Sequence, residues 1–186
     1  VCVANLSLGD SLIQHIKDHK LPVKPTQEVT PAYGNCFYEA VALLCKKQKI
    51  CLGNRQSAPT DHLLLRLAVC NTLENHPQSQ DWIKSLFRYK KRDWITFMKN
   101  IRKKGTYTDN NGKMVIATAQ YLGVIFKIVP TSGDNRNPYY CIPDDVVDAD
   151  TDGRPVLWLG LHQDDTDRRV DGSCLLYTSD AADDTT

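Results

Sequence analysis

No apolar run in this sequence approaches the roughly 20 residues needed to span a bilayer; the longest, such as Val156–Leu161, are far shorter, and no membrane partner is expected. Net charge is also lacking. The 23 Lys and Arg nearly cancel the 22 Asp and Glu, leaving +1, too little for a global field that gathers nucleic acid. The seven cysteines include no C-x-x-C pair, so a structural zinc site of the thiolate type is not expected. Their odd number and irregular spacing also make a poor disulfide framework, which points to a reducing, intracellular compartment, cytoplasmic or nuclear. There is no internal repeat, and residues 1–9 begin without Met or a basic-then-apolar leader. They read as the ragged start of a fragment.

What is present suffices for one domain. A chain of 186 residues, 41% hydrophobic and 24% charged, lies within the roughly 100–200 residues that single cores organise. Charge is distributed unevenly: nine Lys or Arg against one Asp fall between Lys84 and Lys104, and twelve Asp against three Arg between Asp144 and Thr186. Any contact with a charged partner would be local.

Periodicity predicts helices first and strands late, an α+β arrangement with helices packed on a small sheet. A short helix follows Asp10 and stops at Pro22. Phe37, Ala40, Val41 and Leu44 recur at helical spacing up to about Lys49, directly after the turn residues Gly34-Asn35. Thr60-Asp61 can cap a helix containing Leu63, Leu64, Leu67 and Val69 and ending near His76-Pro77; being apolar nearly all round, it is expected to be central. Trp82–Phe87 suggests another helix, and Asp93 a cap for one with Trp94, Phe97, Met98 and Ile101 inward and Gly105 at its end. A helix at Val115–Leu122 closes on Gly123, and strands are expected at Val124–Val129, Tyr139–Ile142 and Val156–Leu161.

Cys36 stands at the first turn of the Phe37 helix. The first N–H groups of a helix lack intrahelical partners and carry a partial positive charge, which favours thiolate over thiol. Such a Cys is an activated nucleophile with backbone donors nearby for a developing oxyanion, which are the needs of acyl transfer. The competing reading is a small buried apolar Cys.

The octet Tyr33-Gly34-Asn35-Cys36-Phe37-Tyr38-Glu39-Ala40 resembles the Asp-Gly-Asn-Cys segment of the ovarian tumour (OTU) family of cysteine peptidases. Leu65-Arg66, Phe97-Met98, Gly105-Thr106-Tyr107, the helix to Leu122 and the strand after it follow that family's order of elements. The resemblance implies a papain-like OTU-type domain over residues 10–173 and a deubiquitinase cleaving after the C-terminal Gly of ubiquitin, without a cofactor or metal. Its partners would be ubiquitin or ubiquitin-like conjugates rather than nucleic acid. Cys36 would be the nucleophile, and the backbone N–H groups of Tyr33, Gly34, Asn35 and Cys36 would form the oxyanion hole. Two departures are Tyr33, where the family has Asp, and Tyr107, where Trp is common.

A peptidase of this kind also needs a His to move protons and a polar residue to orient it. The family's His-aromatic pair is absent. Either His162 is the base and Asp164 its orienter, or the base lies beyond Ser173. Residues 174–186 lack any periodicity linking them to the strands before them and read as a foreign tail; in the second case the domain also stops short of its last strand. The alternative of a different class is a degenerate OTU-like module that binds ubiquitin or another protein without cleavage. Asp148-x-Asp150-x-Asp152-Gly153 resembles the opening of a calcium loop, but its twelfth position is Leu159, so a solvated acidic turn is expected.

Overall fold

In a computed structural model of the chain the described residues are 17–18, 20, 23–25, 35–52, 56–78, 81, 91–103, 113–130, 137–161 and 179–181. Among them the elements run β1 (Val23–Pro25), α1 (Cys36–Lys47), α2 (His62–Asn75), α3 (Lys91–Ile101), α4 (Lys113–Leu122), β2 (Ile125–Pro130), β3 (Tyr139–Cys141), β4 (Val156–Leu161) and β5 (Ser179–Ala181). This is the expected α+β order. The expected helices after Asp10 and at Trp82–Phe87, and Gly105, fall wholly or mostly outside the described residues.

The sheet has the order β3-β2-β4, with β3 antiparallel and β4 parallel to β2. Central β2 is apolar on both faces, as a strand covered on two sides must be. Phe126 and Ile128 turn toward the helices and join Leu157 and Leu159 of β4 in the main core. The opposite face, where alternation puts the next side chains, carries one polar rung. Lys127 sits 4.5 Å from the Tyr140 ring and 4.7 Å from the Trp158 ring, in register with both. A separate two-stranded sheet pairs β1 with β5; β5 lies within the stretch 174–186.

Each helix boundary has a local cause. Helix α2 starts at Asp61, whose Oδ1 accepts from the backbone N–H groups of Leu63 and Leu64 at 2.9 Å each, and it stops before Pro77. Helix α4 ends on Gly123 at φ +65°, a left-handed position that costs glycine little, and Val124 N–H donates back to the Ala119 carbonyl at 3.1 Å. In α3, Trp94, Phe97, Met98 and Ile101 are buried as their spacing predicts.

One expectation is corrected. The central helix is α1, not α2. From Cys36 to Cys45 nearly every residue of α1 is buried, and Phe37 packs edge-on against Phe126 of β2 at 6.1 Å. On α2 only the stripe Leu65, Arg66, Val69, Cys70 and Leu73 is buried, while Leu64 and Leu67 are 61% and 44% exposed. A helix packed on one side buries one stripe whatever its other face contains.

The acidic turn is satisfied internally. Asp148 accepts from Asp150 N–H and the Thr151 hydroxyl, both at 3.1 Å; Asp150 accepts from Tyr140 Oη at 2.6 Å; Asp152 pairs with Arg154 at 3.0 Å. These carboxylates clamp the turn to the sheet through Tyr140 and Lys127 rather than converging on one point.

Candidate active site

Cys36 is the first residue of α1, and Asn35 is its N-cap at φ −110°, ψ −7°. The helix begins here because the Asn35 carbonyl accepts from Glu39 N–H at 2.9 Å, while the following run Phe37, Tyr38, Ala40, Val41 and Leu44 has an enclosed core to fill. Asn is among the best capping residues, its side-chain oxygen usually accepting from the helix's own N–H groups. Asn35 makes no such bond. Its Oδ1 instead accepts from Arg66 Nη1 at 2.7 Å.

Arg66 is buried at 2% exposure. Its Nε donates to the Ile101 carbonyl at 2.5 Å, and its guanidinium lies 5.2 Å from the Tyr38 ring centroid. Burial lowers the Arg66 pKa, opposed by its attraction to Tyr38 and Cys70, and an arginine so placed remains a cation. A single fork therefore ties the start of α1 to the end of α3. The cation suits the carbonyl end of α3 and adds to the positive end of α1.

Sequence reading places Cys36 and Asn35 correctly at the helix start. It does not anticipate the enclosure: Cys36 is 3% exposed rather than open, because the helix it starts is the one wrapped by the rest of the core. Cys36 belongs to the main hydrophobic core cluster, with the polar Asn35 and Glu39 and the aromatic Phe37 and Tyr38 near it in sequence. Tyr33, Gly34, His162 and Asp164 lie outside the described residues, so the structure neither brings them to Cys36 nor separates them from it. Arg66 is the residue that the chemical reading passed over. Its signal was there, since Arg66, Val69, Cys70 and Leu73 form an i, i+3, i+4, i+7 stripe with a charge in an apolar position.

Two other thiols mark what burial does where it is the largest influence. Desolvation pushes Cys45 up to about 12 and Cys70 up to about 11, where the cations Arg102 and Arg66 limit the rise. Both stay protonated near neutrality. Close to the start of α1, Glu39 Oε1 stands 3.7 Å from His62 Nε2.

Away from Cys36, a cavity of about 450 Å³ is lined by Thr72, His76, Gln120 and Asp144 among others. There His76 Nε2 donates to Asp144 Oδ2 at 3.0 Å, and Nδ1 accepts from Gln78 N–H at 3.1 Å. Both ring nitrogens are engaged, so the pair holds the end of α2 to the loop at Asp144 and is not arranged to shuttle a proton. No group of three or more potential metal ligands occurs among the described residues, and no described helix is long and apolar enough to cross a membrane.

No protein-family model matches the chain, and no curated protein matches its sequence. Solved structures do match its fold. The OTU domain of OTUD1 aligns at a TM-score of 0.57 and 15% identity, covering 92% of this chain and 93% of that one. The viral OTU domain protease from Dera Ghazi Khan virus aligns at 0.50 and 13% identity, covering 85% and 81%.

Proposed function

The chain has the fold of OTU domains, and from that premise we propose that it is a cysteine peptidase that hydrolyses the peptide or isopeptide bond after the C-terminal Gly of ubiquitin. The observation that supports this reading is the placement of Cys36 as the first residue of a buried helix, inside a segment resembling the family's nucleophile motif, with a buried cation fixed to the preceding residue. In the proposed reaction Cys36 Sγ attacks the glycine carbonyl carbon and the carbonyl electron pair moves onto oxygen. Backbone N–H groups of Tyr33, Gly34, Asn35 and Cys36 take up that charge. Collapse expels the amine, which receives the proton first taken from the thiol, and water then cleaves the thioester to return the thiol and release ubiquitin's carboxylate. His162 is the proposed carrier of that proton and Asp164 the proposed orienter.

A ubiquitin bearing a C-terminal electrophile tests the proposal. The expected result is one covalent adduct on Cys36, lost in Cys36→Ser, and a rate reduced at least about 100-fold in His162→Ala, the usual scale of general-base loss. An adduct that survives His162→Ala moves the base to another residue. Reversible binding without any adduct overturns the peptidase reading in favour of a ubiquitin-binding module, the alternative that Tyr33 in place of the family's Asp favours.

A further inference from the structure

Asn35 is a capping residue that does not cap, and the reason lies across the core on α2. Arg66 takes its Oδ1 at 2.7 Å while the other arm of the fork is held by the Ile101 carbonyl and the plane rests on Tyr38. Burying a guanidinium is costly unless its donors are used, so residues that only needed to fill this space would be apolar. The position follows Leu65 and precedes Val69 and Cys70 in a stripe otherwise built of apolar side chains. What the cation achieves there is specific. It engages the Asn35 oxygen that would otherwise serve as the side-chain cap of α1, and it brings a permanent positive charge to the same place.

We propose that Arg66 is a positioning residue for the Cys36 nucleophile, holding the Asn35–Cys36 turn in shape and favouring the Cys36 thiolate through its charge. The inference rests on the peptidase reading only for its consequence in catalysis; the effect on the thiol stands apart from it. Among the described residues, the titratable groups near that turn and its fork include Tyr38 and Glu39 on α1 and His62 and Cys70 on α2; Tyr38 and Cys70 act on Arg66 itself, and Glu39 and His62 stand 3.7 Å apart. A Glu39 carboxylate opposes a thiolate and a protonated His62 offsets it. Lys127 of β2 lies on the far face of the sheet, engaged with Tyr140. Arg66 is thus the cation fixed to the residue next to Cys36.

The test is carbon-13 NMR titration of protein labelled at cysteine Cβ, whose shift follows thiol ionisation without any reagent having to reach the sulfur; Cys36→Ser assigns the signal. In the wild-type chain Cys36 is expected to ionise below the ordinary range of a cysteine thiol. Arg66→Met should raise the Cys36 inflection by about one pH unit, which is about a tenfold loss of thiolate at neutral pH. Arg66→Gln, which keeps a donor for Asn35 but no charge, should raise it similarly and serves if the Met variant does not fold. Arg66→Lys should return the inflection to near the wild-type value, yet react more slowly with the ubiquitin electrophile because an ammonium does not reproduce the fork.

An inflection unmoved in the neutral variants overturns the proposal, whatever happens to their stability. If the inflections move as expected but no variant, wild type included, forms a ubiquitin adduct, the role of Arg66 stands and the peptidase reading fails. If the adduct forms equally fast in wild type and Arg66→Gln, with equal inflections, the reverse holds.

Discussion

The starts of α1 and α2 are built from the same kind of residue and put to different use. At α2, Asp61 Oδ1 accepts from two N–H groups of its own helix. At α1, Asn35 Oδ1 is drawn off by Arg66. Asn and Asp are equally good caps, so residue chemistry does not explain the difference; the buried guanidinium does. A capped start contributes to stability and is electrostatically satisfied. A start whose cap is diverted gives up that contribution and keeps its positive end directed at whatever negative charge forms there. The same backbone motif serves stability at α2 and, in the proposed reading, chemistry at α1.

The largest expected effect tests whether the start of α1 differs from its far end. Cys36 and Cys45 share the helix and are 3% and 2% exposed, so burial does not distinguish them. Cys36→Ser is expected to abolish the adduct with the ubiquitin electrophile, and Cys45→Ala to leave it intact, as intact-protein mass spectrometry would report. An adduct lost in the second variant and kept in the first would reverse the assignment.

A second effect, smaller and on stability, comes from the thiols that burial keeps neutral. Cys45 and Cys70 ionise near 12 and 11 in the fold, against about 8.5 in an unfolded chain. A raised folded pKa means that the folded state holds protons which the unfolded state releases. The contribution is therefore complete below about pH 8.5 and is lost as pH climbs toward 11–12, at up to about 1.4 kcal/mol per pH unit for each thiol. Urea unfolding at pH 8 and pH 10 should show this fall, and a Cys45→Ala, Cys70→Ala double variant should flatten it. Equal slopes in the two proteins would refute the assignment.

Much of this was legible in the residues. The α+β order, the bounds of β4, the inward face of α3 and the place of Cys36 at a helix start all follow from local pattern, because each depends on neighbours three or four positions away. Which helix would be central did not. Leu64 and Leu67 look like core material, and only the packing of α1 against β2 through Phe37 and Phe126 decides that they face outward. The diverted cap was equally hidden, since it depends on residues 31 positions apart in sequence. The charge in the apolar stripe of α2 advertised that something polar lay opposite, without saying what. The proposed base and orienter, His162 and Asp164, rest on sequence and resemblance alone.

The smallest expected effect addresses the comparison directly. Asp61→Ala removes a cap that is made, and should cost about 1 kcal/mol of unfolding free energy with no change in the rate at which Cys36 reacts with the ubiquitin electrophile. Asn35→Ala removes no cap, since none is formed. It deprives the buried Arg66 of an acceptor instead, which costs stability through an unsatisfied donor and should slow the reaction because the turn before Cys36 is no longer held. Urea unfolding and adduct kinetics on the two variants separate these routes. If Asp61→Ala slows the reaction as much as Asn35→Ala does, the rate reports general loosening of the helices, and the distinction between a helix start used for stability and one used for chemistry fails.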